Sequence, residues 1–240
     1  MPQPVIRART EQDKEQKRQR LMSAAMDLFI ERGYKIPTVE MIAERAGTSV
    51  GTFYLYFKGK REIYKIFQGE GIDILSDMIF RGLAGQYESA REKLAAAAAS
   101  YLHFYREYPE YYGFISLIDP NGPDETRDGG TRIRKIVDVT TMAILRRVEA
   151  VITEGVQTGE FRPMDPWKTA CALWGMIDGF IIMEERSKTR VIGMTLDEII
   201  AHGLETAFSG MTNRGGASAG AGFDGPVLPV SDRTDKRPGT

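Results

Sequence analysis

A chain of 240 residues, 42% hydrophobic and 27% charged, is long enough for one or two packed domains, and no apolar run reaches the length of a membrane span. Met1-Pro2-Gln3-Pro4 lacks the apolar core of a secretory signal and the single cysteine, Cys171, excludes an internal disulfide framework, so a cytoplasmic location is expected. The net charge of −1 is unevenly placed: residues 1–67 hold 13 Lys/Arg against 8 Asp/Glu and the remainder is net acidic, so a polyanionic partner would meet only the front.

Residues 1–9 read as a flexible arm. Arg7 and Arg9 there suit either a polyanion or plain solvation. A first helix is expected from about Thr10 to Arg32, with Leu21, Ala24, Ala25, Leu28 and Phe29 as its buried stripe. Lys14, Lys17, Arg18 and Arg20 lie on its early turns, suited to phosphate contact or to a wet face. Gly33-Tyr34 ends it.

Residues 38–57 read as two short helices about a sharp turn. Thr38 can cap the first, whose apolar face repeats at Val39, Ile42, Ala43 and Ala46. Gly47 ends it, because glycine tolerates the left-handed conformation of a helix stop. Ser49 can cap the second, in which Phe53 and Phe57 point inward. Its outer face is small at the front (Ser49, Gly51, Thr52) and rich in hydroxyls (Tyr54 and Tyr56 as well), with Lys58, Lys60 and Arg61 following. Small residues allow close approach, and hydroxyls with basic groups suit phosphate. The pattern fits a recognition helix in a major groove, and equally a solvated hairpin inside a bundle.

The next helix is expected from Gly59-Lys60 to about Leu83. Ile63, Ile66 and Phe67 face the front core, and Ile72, Leu75, Ile79 and Phe80 continue into a second domain, so this helix is a natural lever. Ser89 and Glu92 have the spacing of a capping box. Beyond the alanine run 95–99 come Tyr101, Phe104, Tyr105 and Tyr108. Pro109 opens a helix carrying Tyr111, Tyr112, Phe114, Ile115 and Leu117, and residues 119–123 break the chain. A long helix from about Thr131 to Thr158 buries Ile133, Ile136, Val137, Ile144, Leu145, Val148, Val151 and Ile152. Asp165-Pro166 opens the next, with Trp167, Ala170, Trp174, Ile177 and Ile181 on one stripe and Gly175 and Gly179 admitting another backbone. Thr195 and Glu198 form a second capping box before a stripe of Leu196, Ile199, Ile200, Gly203, Leu204, Ala207 and Phe208. Residues 213–240 read as a disordered tail. No strand periodicity appears, so the chain is expected to be all-α, about nine helices between two tails. The expected division is an arm (1–9), a front domain (10–67), a helical domain (68–212) and the tail.

No catalytic constellation emerges, so neither an enzyme nor a cofactor is expected. His103 and Glu107, four apart, suit an ordinary helix contact better than a metal. Cys171 reads as a small core residue, and the glycines near Gly215 lack the context of a phosphate loop. Asp178, Glu184 and Glu185 suit an interface, a pocket or a solvated face. Tyr101, Tyr105, Tyr108, Tyr111, Phe114 and Trp174 suit either a ligand pocket or simple core packing.

Ala43-Glu44-Arg45-Ala46-Gly47, Gly51-Thr52-Phe53-Tyr54 and Tyr56-Phe57-Lys58-Gly59-Lys60, with Ala24-Ala25, Leu28-Phe29 and Gly33-Tyr34 before them, resemble the helix-turn-helix of the TetR family of bacterial repressors. The resemblance covers roughly residues 17–67. It implies an N-terminal three-helix DNA-binding domain followed by an effector-binding and dimerisation domain. By resemblance Thr38 and Lys60 contact phosphate, Ser49, Val50, Gly51 and Thr52 face base edges or nearby backbone, and Tyr54 and Tyr56 brace on phosphates. Two departures stand out: Val50 replaces a frequently polar or basic residue, and Glu40 sits where some members place a base-reading arginine. The aromatic set then becomes an effector pocket. The last two helices become a four-helix homodimer interface, with Trp167, Gly175, Gly179, Ile199, Leu204 and Phe208 as its candidates. The expected partners are operator DNA, a small, mostly apolar effector and a second copy of the chain, with no membrane. The expected function is a homodimeric repressor released by that effector. An activator of the same fold, or an all-helical binding protein or enzyme with an incidental helix-turn-helix, are the alternatives.

Overall fold

The computed structural model describes the chain at residues 4–116 and 132–212. Ten helices lie there: α1 (Pro4–Arg32), α2 (Val39–Arg45), α3 (Val50–Tyr56), α4 (Lys60–Leu83), α5 (Ala90–Glu107), α6 (Pro109–Ile115), α7 (Arg132–Gln157), α8 (Pro166–Glu185), α9 (Lys188–Ile192) and α10 (Leu196–Met211). Among the described residues there is no strand, only one isolated bridge between Phe161 and Thr212. No helix of these residues is long and apolar enough to cross a membrane.

Two boundaries depart from expectation. α1 begins at Pro4, so residues 4–9, expected as a flexible arm, are helical, as proline at the first helical position allows. The short α9 adds a tenth helix between αL residues Ser187 and Gly193. Leu117, the breaker at 119–123, the tail 213–240 and the side chains of Ile133, Ile136 and Val137 lie outside the described residues.

Local chemistry sets the helix ends. Thr38, Ser49, Asp165 and Thr195 each accept a first-turn N–H, and Thr195 with Glu198 closes a reciprocal capping box. Ser89 caps α5, but Glu92 accepts from the N–H of Glu88 at 2.9 Å, so the expected box there is not reciprocal. The next two donors of α5, at Ala90 and Arg91, are taken by the Glu160 carboxylate at 2.8 and 2.9 Å, across about seventy residues of chain. Gly59 gives α4 no side-chain cap; the Glu62 carboxylate instead accepts the Lys58 N–H at 2.6 Å.

Three apolar clusters result. The first joins α1, α2, α3 and the start of α4 through Leu21, Leu28, Phe29, Ile42, Phe53, Phe57, Ile63, Tyr64 and Phe67. The second begins at Ile72 on the same α4 and takes in α5, α6, α7, α8 and α10. The third lies at the far end, around Ile152, Phe161, Leu173 and Phe208. α4 therefore runs through two cores, and α6 packs tightly against it: a Cβ on Gly71 would lie 3.1 Å from Ile115 and 3.2 Å from Tyr111.

Candidate nucleic-acid interface and effector cavity

The turn between α2 and α3 is built on Gly47 at φ 66°, with the N–H of Thr48 donating to the Ala43 carbonyl at 2.9 Å. That turn leaves the front of α3 open. Gly51 is exposed, with nothing nearer to an added Cβ than the Ser49 hydroxyl at 3.8 Å. Ser49 Oγ accepts the Thr52 N–H and lies 2.9 Å from the Thr52 hydroxyl, so both hydroxyls are held at the N-terminus of α3. Val50 and Thr52 are half-buried and Tyr54 is 56% exposed, edge-on to Phe53 beneath it. Tyr56 is half-buried against the first cluster. Thr38 is exposed at the start of α2. The Thr38 hydroxyl, and then the backbone N–H of Glu40 itself, hold the Glu40 carboxyl below its ordinary pKa, so the carboxylate is occupied locally. Leu55, not singled out in the sequence, is 81% exposed on the same helix. Its apolar side chain outside the core is the signal that marks it.

Lys60, expected at a phosphate, turns to backbone carbonyls. Its Nζ donates to the carbonyls of Tyr34, Lys35 and Pro37 at 2.8, 3.0 and 2.7 Å and lies 4.6 Å from the centre of the Tyr34 ring. An ammonium has three N–H donors, and all three are engaged. Burial lowers its pKa. Lys60 thus fastens the α1–α2 connection to the start of α4, while Lys58 is exposed.

The second domain holds a partly open cavity of ≈ 110 Å³ between α4, α5, α7, α8 and α10. Ile72, Leu75, Ile144, Leu173 and Leu204 are among its apolar lining, with Tyr101, Trp174 and Asp178 also exposed to it. Of the six aromatic residues expected at a pocket, only Tyr101 and Trp174 reach it. Tyr105 donates to Glu185 at 2.7 Å, Tyr108 stacks on Phe104, and Tyr111 donates to Glu70 at 3.0 Å. Phe114 lies in the first cluster, stacked on Phe67 at 5.2 Å and edge-on to Tyr64 at 5.0 Å. The cause is α6, whose last turn carries Phe114 over the front domain, where Gln68 donates to its carbonyl at 3.0 Å.

Asp178 is 3% exposed, and its Oδ1 accepts from Tyr101 at 2.8 Å and Tyr112 at 3.2 Å. Burial, then the Asp178 charge, raises the pKa of both phenols. Nothing in the sequence joins Tyr101 or Tyr112 to Asp178, because the partners are 77 and 66 residues away. Glu185 is exposed and Glu184 accepts from the Thr189 hydroxyl.

The six interface candidates divide. Gly175 and Gly179 have nothing among the described residues within 4 Å of an added Cβ, so toward those residues their side of α8 is open in the single chain. Trp167 is half-buried beneath the Arg146 guanidinium at 4.1 Å, and Ile199 is half-buried against the second cluster. Leu204 and Phe208 turn inward to the cavity, and Phe208 is 3% exposed under Arg91, which corrects its assignment to an outer face. The close approach falls instead at Gly203, where a Cβ would meet Phe180 at 2.6 Å.

His103 lies 4.0 Å from Glu107 on an exposed face. No group of His, Cys, Asp and Glu among the described residues is arranged to hold a metal.

The family model described as bacterial regulatory proteins, tetR family, matches residues 21–65. The chain is 36% identical over 186 residues to the HTH-type transcriptional regulator SrpR of Pseudomonas putida, covering 75% of this chain and 80% of that one. It is 27% identical over 170 residues to the fatty acid metabolism regulator protein of Bacillus subtilis, covering 69% of this chain and 81% of that one. Among solved structures it is similar to the transcriptional regulator FadR from Bacillus subtilis in complex with stearoyl-CoA, with a TM-score of 0.61 and 23% identity over 80% of this chain and 98% of that one.

Proposed function

We propose an effector-released repressor, and the premise is identity: the chain belongs to the TetR family of bacterial regulatory proteins. It is a DNA-binding transcriptional regulator. On the proposed reading, residues 10–67 form the DNA-binding domain and 68–212 the effector and dimerisation domain. Ser49, Val50, Gly51 and Thr52 approach base edges or backbone, while Thr38, Tyr54 and Tyr56 meet phosphates. Leu55 joins them as an apolar contact, suited to a thymine methyl.

The observation that carries this reading is the sharing of α4 and α6 between the two cores. Ile63, Tyr64 and Phe67 of α4 lie in the front cluster, and Ile72, Leu75 and Ile79 line the cavity. On α6, Tyr112 bonds to Asp178 at the cavity wall and Phe114 sits in the front core. An occupant pressing on Ile115 or Tyr101 therefore displaces groups on which the front domain rests. In a homodimer the two recognition helices must stand about 34 Å apart to enter successive major grooves. Moving α4 and α6 changes that spacing and lowers DNA affinity. The apolar lining supports a mostly apolar effector, and so does the stearoyl-CoA complex of FadR, a ligand whose body is an alkyl chain.

Selection of bound genomic fragments, followed by titration of apolar compounds against the free protein and the protein–operator complex, tests this. An inducer must bind the DNA-bound form less tightly by the factor with which it weakens DNA binding. Equal affinity for both forms, for every compound that occupies the cavity, would remove release from the function. Tyr54→Phe is expected to weaken operator binding and leave the melting temperature unchanged. Gly175→Arg, on the open side of α8, is expected to give monomers in sedimentation.

A further inference from the structure

The cavity lining is mostly apolar, with Ser116, Thr141, Tyr101, Trp174 and Asp178 as its polar members. Among the described residues of its lining Asp178 is the single charged one, with no lysine, arginine or histidine. The carboxylate is 3% exposed, and both of its phenol donors fall on Oδ1, so Oδ2 has no hydrogen-bond partner among the described residues. Burying a carboxylate is costly unless its charge is paired and its lone pairs are filled. Here two neutral donors serve one oxygen, and no cation among the described residues serves the other. Beside it, the Tyr101 and Trp174 rings also face the cavity, and aromatic faces attract cations.

We infer that the effector is an organic cation, an apolar body carrying a protonated nitrogen that pairs with Asp178. The nitrogen occupies the open side of the carboxylate, next to the Tyr101 and Trp174 rings. The apolar body extends along Ile72, Leu75, Ile144 and Leu173. Asp178 is then the residue that sets specificity, choosing a cation over an alcohol or an acid of the same length. Tyr101 and Tyr112 are positioning residues that hold the carboxylate. Because Tyr112 lies two residues before Phe114, an amine that draws Asp178 away from its phenols acts on the helix that enters the front core. This assignment rests on the cavity being the effector site.

Calorimetric titration of the full chain with octylamine, octanol and octanoate at neutral pH tests it. The wild type is expected to bind octylamine most tightly. Asp178→Asn, which keeps the shape and one acceptor, is expected to lose about tenfold or more in octylamine affinity, a difference of about 1.4 kcal/mol, while its octanol affinity stays within about twofold. Equal octylamine affinity in wild type and variant, or octanol binding the wild type as tightly as octylamine, overturns the cation. Should Asp178→Asn fail to fold, Tyr112→Phe replaces it. That variant withdraws one donor that disperses the carboxylate charge and is expected to raise octylamine affinity severalfold, and an unchanged value overturns the pairing. If none of the three compounds binds the wild type, the cavity reading falls with it. Binding of octanol or octanoate without preference for the amine defeats the cation alone.

Discussion

The front and the body of this molecule solve opposite problems. The front, α1 to the start of α4, closes around rings: Phe29, Tyr64, Phe67 and Phe114 meet at centroid distances of 5.0–6.5 Å, and Ile42, Phe53 and Ile63 are fully buried. The body leaves a void at its centre and puts a carboxylate in the wall. A surface that reads DNA has to be presented in one shape, and close packing holds one shape. A wall that accepts an occupant needs room, which costs packing contacts. The contrast shows where rigidity ends, on two helices that belong to both regions.

The largest test of this contrast is Phe114→Ala. The residue belongs by sequence to the body and by packing to the front, so its truncation is expected to destabilise the front by about 3–5 kcal/mol. A urea melt followed by hydrogen exchange in α1–α3 checks it; loss confined to α5–α8 would return Phe114 to the body. Lys60→Ala comes next. It leaves three carbonyls without their charged donor and is expected to cost on the order of 2 kcal/mol. Operator affinity should fall while its salt dependence keeps its slope, because no phosphate contact is removed. A slope shallower by about one unit would restore Lys60 to the DNA.

In the body the sign reverses. Ala97 lines the cavity, and Ala97→Leu is expected to fill part of it, stabilising the protein by about 0.5–2 kcal/mol and abolishing effector binding. A lower melting temperature would mean the space is already used. The smallest effect is expected from alkali. Burial, and then Glu70, raises the pKa of Tyr111 from 10.0 to about 12, and Tyr101 and Tyr112 are raised by burial and Asp178. Below pH 10 these phenols are protonated whether the chain is folded or not, and the body keeps its full stability. Above it the unfolded chain sheds protons that the body retains, so stability falls as pH rises toward about 12. Phenolate absorbance at equilibrium, compared with far-ultraviolet dichroism, follows this; ionisation of all tyrosines near pH 10 without loss of helix would contradict it.

The front was legible because its signals are local. Thr38, Gly47 and Ser49 fix helix ends within a few residues, and the stripe of Leu21, Ala25 and Leu28 repeats within one helix. The Lys60 side chain turns back to carbonyls 23 to 26 residues earlier, a choice that charge alone does not encode. In the body, helical stripes revealed which elements pack but not which rings share a space. Tyr105, Tyr108 and Tyr111 lie within one aromatic-rich run, yet each turns to a separate partner. The Asp178 pole needed three helices brought together, and Phe208 sat on an apolar stripe that serves the interior as well as any interface would.

The Glu160 carboxylate has a consequence for the order in which the chain assembles. α5 begins with two N–H groups that are satisfied only when the α7–α8 connection arrives, about seventy residues later in synthesis. Closing so long a loop is slow compared with forming a turn such as that at Gly47. The start of α5 is therefore expected to fray in a nascent chain that ends before residue 160 and to tighten once that residue emerges. Glu160→Gln would then change both folding rate and final stability: the amide keeps one acceptor but turns its NH2 toward the second backbone donor, and the charge that draws the distant loop to the helix start is gone.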